Sequence, residues 1–287
     1  MAQTQSRPLT KNITLSNGLK MRYYEWPGTG PNLVLLHPSS GYGRMWDMTA
    51  RSLGGQLRVF ALDQRGHGDT DRPDGGYAAE EYAEDLHLFL DRLGLSRTIV
   101  AGHSLGGRVA QVFAATYPEQ ALAIGLVGGP HYANFFQERD RVNTVLQGAE
   151  RMRVSQTEFP SREAALAYLR EYRPADSEEA RLHRVEHNRR TLSGGGVAFK
   201  YDKVRVAQGL THIADSLRSY AGRVTCPVAV LRGSHSTHLT REEAERIAAF
   251  WKDGRIIEVE GDYALEIENP QGLAQAIMEF ARVAAAA

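Results

Sequence analysis

The sequence has little of several features that mark particular classes of protein. Its single cysteine, Cys226, can form neither an internal disulfide nor a thiolate metal site by itself, and its position before Pro227 predicts a buried structural residue. The 34 Lys and Arg residues balance 34 Asp and Glu residues, which argues against nucleic acids or anionic membranes as partners. No apolar run approaches the roughly 18 residues that cross a bilayer, and the amino terminus lacks the apolar core of a secretory signal. These absences predict a soluble, cytoplasmic protein with a small-molecule substrate, and leave a homodimer open.

What the sequence does contain is an alternation of short apolar runs with segments of helical period. Asn17-Gly18 between two alternating segments predicts an antiparallel hairpin at the start. Runs that are apolar on both faces predict buried parallel strands at residues 32–36, 58–62, 98–101, 121–127, 228–232 and 255–260. Helices are predicted at residues 78–93, 105–117, 241–251 and 271–283. This alternation is typical of a doubly wound α/β sheet.

One stretch, from about Pro130 to Leu210, interrupts the alternation with a helical pattern and no clear buried strand. We expect residues 130–210 to form a helical cap inserted into a core of residues 1–129 and 211–287. The run Gly194-Gly195-Gly196 predicts a loop or hinge within it. Its aromatic residues would contribute to the roof of an apolar pocket: Tyr132, Phe135, Phe136, Tyr168 and Tyr172.

The motif that indicates catalytic chemistry follows the strand predicted at residues 98–101. Gly102-His103-Ser104-Leu105-Gly106 is a G-x-S-x-G sequence between a strand and a helix. Such a sharp turn holds the serine in a strained backbone conformation and presents its hydroxyl at the carboxyl edge of the sheet. The flanking glycines are needed because strand and helix leave no room for a Cβ. Ser104 is therefore predicted to be a nucleophile.

From these residues the chain resembles the α/β-hydrolase superfamily over nearly its whole length. Leu35-Leu36-His37-Pro38-Ser39 is similar to the family segment that supplies half of the oxyanion hole, with Pro38 in place of the usual glycine. The resemblance implies that the backbone N–H groups of Ser39 and Leu105 face a substrate oxyanion. It also implies a structural role for His67, in the loop Asp63-Gln64-Arg65-Gly66-His67-Gly68, and no catalytic role for His103.

The sequence departs from this family at both partners of the serine. Where the family has its acid, the chain reads Arg232-Gly233-Ser234-His235-Ser236-Thr237-His238, without a carboxylate. Where the family has its histidine, seven positions before Pro270, stands Tyr263. Losing the base of a serine triad costs about 10⁶ in turnover, roughly 8 kcal/mol, and tyrosine with a pKa near 10 is no ordinary base. Tyr263 is instead predicted to donate a hydrogen bond.

Two histidines are candidate substitutes for the missing base. His131 and His235 both follow strands, on the sheet edge where Ser104 emerges. A metal site that combines His235 and His238 with His131 or His37 lacks a recognisable ligand set, so no metal and no cofactor are predicted.

Three functions remain open from the sequence. The first is hydrolysis of a small, largely apolar ester or lactone by Ser104, with a non-standard base. The second is a cofactor-independent lyase, cyclase, isomerase or decarboxylase, in which the oxyanion hole stabilises an enolate and Tyr263 or a histidine handles the proton. The third is a binding protein that has kept the pocket and lost the chemistry. A further alternative is that the triad was removed by engineering, although three positions differ from the family pattern and inactivation needs fewer changes.

Overall fold

A central sheet of eight strands organises the chain. The computed structural model describes residues 7–128, 139–212 and 217–286, with only the backbone described at 139–144, 212, 217–218 and 286. The strands of the described residues are β1 Leu9–Thr14, β2 Lys20–Trp26, β3 Asn32–Leu36, β4 Arg58–Leu62, β5 Thr98–His103, β6 Ala121–Val127, β7 Glu158–Phe159, β8 Arg189–Thr191, β9 Val197–Phe199, β10 Val228–Gly233 and β11 Gly254–Val259. The large sheet has the order β1-β2-β4-β3-β5-β6-β10-β11.

The sheet is antiparallel at one end and parallel elsewhere. β1 pairs with β2, and β2 with β4, in antiparallel register, and the remaining neighbours run parallel. The predicted hairpin turn is present, with Gly18 at a φ of 86°. The strands predicted from apolar runs coincide with β3 to β6, β10 and β11 to within two residues. The doubly wound α/β class is therefore confirmed.

Helices cover both faces of this sheet. Within the described residues they are α1 Asp47–Ser52, α2 Ala79–Leu93, α3 Leu105–Thr116, α4 Arg139–Val154, α5 Arg162–Tyr172, α6 Glu178–His187, α7 Lys203–His212, α8 Leu217–Ala221, α9 Arg241–Ala248, α10 Leu265–Glu268 and α11 Pro270–Ala286. A short 3₁₀ helix, Gly43–Trp46, precedes α1. None of these helices has the length and apolarity required to cross a bilayer.

Two apolar cores form because successive strand residues point to opposite faces. Val34 of β3 belongs to the core that also contains residues of α2, α3 and α9, whereas Leu35 belongs to the opposite core, which contains residues of α1 and α11. Cys226 is partly buried against the first core. Burial raises the pKa of its thiol to about 11, so the group stays protonated at neutral pH, in agreement with a structural role.

The segment between β6 and β10, which we call the insertion, contains more than the predicted helices. Besides α4 to α8 it holds a three-stranded sheet of order β7-β9-β8. These strands have two or three residues each, too few to produce a period-2 pattern in the sequence. The predicted glycine loop at Gly195 lies in the turn between β8 and β9, where Leu192 N–H donates to the Gly196 carbonyl. It is a hairpin turn and not a hinge.

The insertion contacts the core beside the strand ends that converge on Ser104. His67 and Tyr201 form an isolated antiparallel bridge, and Gly68 N–H donates to the Lys200 carbonyl. The carboxyl ends of β3, β5, β6, β10 and β11 share one edge, as parallel strands require. In open α/β sheets this edge is where ligands bind.

Candidate active site

Ser104 occupies the turn between β5 and α3 with a strained backbone. Its φ of 51° and ψ of −109° make it the one non-glycine residue with positive φ in the described chain. A Cβ on Gly102 would overlap the backbone of Gly106, and a Cβ on Gly106 would overlap the Leu36 carbonyl. The close packing predicted for the G-x-S-x-G turn is therefore present, and it fixes Ser104 at the edge of the sheet.

Tyr263 lies on the loop between β11 and α10, and its phenol faces Ser104. Burial is the largest influence on its pKa and raises it above the usual value, whereas a hydrogen-bonding contact with Ser104 lowers it. The charge of Glu266 also raises the pKa, and those of Arg108 and Arg173 lower it. The net shift is upward, so the phenol is protonated at neutral pH. The position that the resemblance assigns to a histidine thus holds a neutral hydroxyl next to Ser104.

A buried imidazole and carboxylate pack against this tyrosine. His103 Nδ1 lies 2.8 Å from Glu266 Oε1, and the two residues are 1% and 2% exposed. The His103 ring meets the Tyr263 ring edge-on, with 4.5 Å between centroids. Neither His103 Nε2 nor Glu266 Oε2 has a hydrogen-bond partner among the described residues. No sequence pattern points to Glu266, because its partner lies 163 positions earlier in the chain.

Arg108 adds a buried positive charge to the site. It lies one helical turn after Ser104 on α3 and is 3% exposed. Its Nε and Nη1 have no hydrogen-bond partner in the described part of the chain. Burial lowers the pKa of Arg108 to about 10, which still leaves the guanidinium charged at neutral pH, and Tyr263 is the group that opposes this shift. Its spacing of four residues from Ser104 was the sequence signal that could have identified it.

One side chain of the core and one of the insertion contact the loop that is predicted to supply part of the oxyanion hole. His67, buried as expected of a structural residue, lies with Nε2 2.8 Å from the Ser39 carbonyl. Arg184 of α6 donates from Nη1 to the Ser40 carbonyl at 2.9 Å. Leu105 begins α3, where backbone N–H groups have no partner within the helix. That the N–H groups of Ser39 and Leu105 bind an oxyanion stays a prediction.

The candidate bases differ in where they lie relative to Ser104 and Tyr263. His235 is exposed on the loop after β10, and its described contact is a backbone N–H donated to the Gly261 carbonyl at 3.0 Å. His238 is the histidine of this loop that reaches the site, with 4.7 Å between its ring centroid and that of Tyr263. His131 lies outside the described residues. That His235 acts as the base stays a prediction, and among the described histidines of this loop it is His238 that contacts Tyr263.

Among the histidines considered for a metal site, His37 has both of its ring nitrogens occupied by other groups. Gln64 N–H donates to His37 Nε2, and His37 Nδ1 lies 2.8 Å from the Pro38 carbonyl, so both ring nitrogens are engaged within the core. Three potential ligands meet elsewhere in the described chain, at the junction of α1 and α6: Asp47, His183 and His187.

The chemistry available at Ser104 follows from these neighbours. A positioned hydroxyl, a neutral phenol and a buried cation can bind and polarise a carbonyl group and stabilise negative charge on its oxygen. An imidazole aligned directly with Ser104, as in a standard triad, is absent from the described contacts of that residue. The site therefore provides electrostatic stabilisation more clearly than base catalysis.

Comparison with known proteins agrees with this architecture. A 2-(acetamidomethylene)succinate hydrolase of Mesorhizobium japonicum is 26% identical over 256 residues, covering 88% of each chain. An esterase of Mycobacterium tuberculosis is 26% identical over 256 residues, covering 88% of this chain and 83% of that one. The crystal structure of an E-2-(acetamidomethylene)succinate hydrolase superimposes with a TM-score of 0.83 at 23% identity, covering 95% of this chain and 98% of the other.

These relatives are hydrolases and esterases by name. A family model described as the alpha/beta hydrolase fold matches residues 31–261, which is most of the chain and includes both Ser104 and the loop before Tyr263. The chain therefore belongs to the α/β-hydrolase fold family.

Proposed function

We propose that the chain hydrolyses a small ester or lactone that carries a carboxylate, with Ser104 as the nucleophile. The observation that supports it most directly is the strained Ser104 elbow, whose hydroxyl faces the Tyr263 phenol. Non-glycine residues persist in such a conformation only where the surrounding structure enforces it, and these residues cluster at active sites.

In the proposed reaction, Ser104 Oγ attacks the carbonyl carbon, and the carbonyl oxygen becomes an oxyanion between the N–H groups of Ser39 and Leu105. The Ser104 proton passes to Tyr263 in its phenolate form, and the phenol returns a proton to the leaving oxygen. Water then releases the acyl group by the same steps. With a pKa above 10, fewer than about 10⁻³ of the molecules hold the phenolate at pH 7, so the reaction is slow at neutral pH.

The proposed carboxylate on the substrate follows from Arg108. A buried guanidinium whose Nε and Nη1 have no hydrogen-bond partner among the described residues costs several kcal/mol, and an anionic group of the substrate would offset that cost. The related hydrolase of Mesorhizobium japonicum is named for a succinate compound, which agrees with an anionic substrate. This proposal modifies the largely apolar substrate predicted from the sequence. We further propose that the insertion covers the site as a lid.

A second candidate is favoured by the raised pKa of Tyr263. A neutral phenol is a good proton donor, so the site would protonate or stabilise an enolate formed in a lyase, cyclase, isomerase or decarboxylase reaction without covalent attack by Ser104. The two candidates differ in what they require of Ser104, because only the hydrolase forms an acyl-enzyme.

The test uses matched chromogenic esters, the p-nitrophenyl monoester of succinate and p-nitrophenyl butyrate, together with a serine-directed fluorophosphonate. We expect turnover that favours the succinate ester, fluorophosphonate labelling at Ser104 by mass spectrometry, and loss of both in Ser104→Ala. No turnover and no labelling would overturn the hydrolase proposal. Turnover of the true substrate that survives Ser104→Ala but not Tyr263→Phe would support the second candidate, and binding without any turnover would support the non-catalytic alternative.

A further inference from the structure

Three metal-ligating side chains converge where the insertion meets the core, away from Ser104. His183 and His187 lie one turn apart on α6, with 4.4 Å between ring centroids. Asp47, the first residue of α1, faces them from the core and is 5% exposed. One ligand atom from each residue lies within 4.8 Å of the other two. Two imidazoles and a carboxylate in this arrangement form a common ligand set for zinc.

We propose that Asp47, His183 and His187 bind a divalent transition-metal ion of the zinc type, with water completing the coordination. Zinc ligands lie about 2.1 Å from the metal, so the ligands of a tetrahedral site are about 3.4 Å apart. His183 Nε2 is already 3.3 Å from Asp47 Oδ2. The His187 ligand atom lies within 4.8 Å of the other two and on the same helix face as His183, so the site forms if the side chains move closer by up to about 1.4 Å.

A neighbouring contact orients the first histidine towards this site. The Tyr42 hydroxyl lies 2.8 Å from His183 Nδ1, which directs Nε2 towards Asp47. Metal-binding histidines generally have such a partner on their second nitrogen. Tyr42, Asp47 and His183 also line a cavity of about 250 Å³, through which an ion and its waters have access.

The surroundings of His187 also suit a ligand. Its side chain is partly buried and makes no hydrogen bond within the described residues, so a ring nitrogen is available to a metal ion.

The Arg44 guanidinium limits the affinity of this site. Arg44 donates from Nε to Asp47 Oδ1 at 2.8 Å and from Nη2 to Oδ2 at 2.5 Å. Its positive charge repels a metal ion and competes for the carboxylate. Removing this charge is therefore expected to tighten metal binding, which a purely structural role of the three residues would not predict.

Metal binding here would join α6 of the insertion to α1 of the core. An ion that binds only the assembled junction raises the thermal stability of the folded chain by mass action. The inference does not depend on the proposed reaction, because no described contact of the three ligands involves Ser104.

The test titrates the full-length protein with ZnCl₂ by isothermal calorimetry, and with Co²⁺ by visible absorption, which reports imidazole ligation. We expect one ion per chain and a zinc-dependent rise in melting temperature. His187→Gln and the double variant His183→Ala with His187→Ala should each weaken binding at least tenfold, and Arg44→Gln should tighten it severalfold. The exposed His235→Gln is the matched control and should bind as the parent does.

Circular dichroism and the melting temperature without metal identify variants that fail to fold. His187→Gln removes no hydrogen bond made by the described residues, so this variant is expected to fold and tests metal binding directly. Saturation above millimolar zinc in the parent protein would overturn the proposal. Equal binding by His187→Gln and the parent, or equal loss in His235→Gln, would also overturn it, since the ion would then bind other histidines.

Discussion

The imidazole of His103 and the carboxylate of Glu266 form a buried pair, with 2.8 Å between Nδ1 and Oε1. One partner comes from the serine turn and the other from α10, just after Tyr263. The pair therefore connects the two loops whose hydroxyl groups face each other. Its position predicts that both the stability of the chain and the ionisation of Tyr263 depend on Glu266.

Removing one partner of this pair should destabilise the fold. We expect Glu266→Ala to lower the free energy of unfolding by about 3 kcal/mol, because it leaves a buried polar group uncompensated. Urea denaturation followed by circular dichroism measures this loss. The control is Glu150→Ala, which breaks an exposed ion pair with Arg153 and should have no measurable effect. Equal effects of the two substitutions would contradict a buried pair.

Backbone strain at Ser104 should be measurable as a difference between two inactive variants. Alanine at position 104 keeps the strained φ of 51°, whereas glycine adopts it without a steric penalty. We expect Ser104→Gly to be more stable than Ser104→Ala by about 1 kcal/mol in urea denaturation. If the alanine variant is as stable as the glycine variant, the turn is not strained in solution.

An imidazole introduced at position 263 should restore part of a standard triad. In a serine protease, loss of the acid alone leaves about 10² more activity than loss of the histidine. We therefore expect Tyr263→His to hydrolyse p-nitrophenyl butyrate up to about 10²-fold faster than Tyr263→Phe, which offers no base. Steady-state kinetics at pH 7 measures the ratio. Equal rates would mean that a base at position 263 does not accept the Ser104 proton.

The pH dependence of turnover should identify the active form of Tyr263. Its pKa is raised in the folded protein, chiefly by burial, so the phenolate forms only above pH 10. If the phenolate is the base, kcat/KM for an ester should rise about tenfold per pH unit up to that region. Since Glu266 raises this pKa, Glu266→Gln should move the whole rise to lower pH. Activity that instead falls as the pH approaches 10 would identify the neutral phenol as the active form.

The raised pKa also fixes the sign of a stability effect. The neutral phenol is favoured more strongly in the folded chain than in the unfolded chain, where tyrosine titrates near pH 10. The resulting stability is fully present below pH 10 and is lost as the pH rises through the folded-state pKa. Denaturation midpoints of the parent protein and Tyr263→Phe should therefore diverge only in alkaline solution.

Arg108 is expected to lower the stability of the fold and to favour an anionic substrate. Arg108→Met replaces a buried guanidinium, two of whose nitrogens have no hydrogen-bond partner among the described residues, by an apolar side chain, and should raise the free energy of unfolding by about 1 kcal/mol or more. The same change should reduce kcat/KM for the succinate monoester by about 10- to 100-fold, with little effect on the butyrate ester. A stability loss together with an equal effect on both esters would indicate a structural role.

The sequence was sufficient for the parts of the fold that depend on local patterns. The strands of the parallel sheet and the helix after Ser104 follow from periodicity, and Tyr263 was singled out by the resemblance to the α/β-hydrolase family. Contacts between distant segments were not predictable in this way. The contact of Glu266 with His103 depends on α10 lying beside β5, and the contact of His238 with Tyr263 depends on the conformation of one turn.

The Arg184 guanidinium of the insertion donates a hydrogen bond to the Ser40 carbonyl of the core. If the insertion is the lid that we propose, any displacement of α6 that admits a substrate must either break this bond or pull Ser40, and with it the adjacent amide of Ser39. The pocket would then be fully aligned only while it is covered. Under the proposed hydrolysis, uncovering of the site and loss of oxyanion alignment would be one event, so attack of water on the acyl-enzyme would take place only while the site is covered.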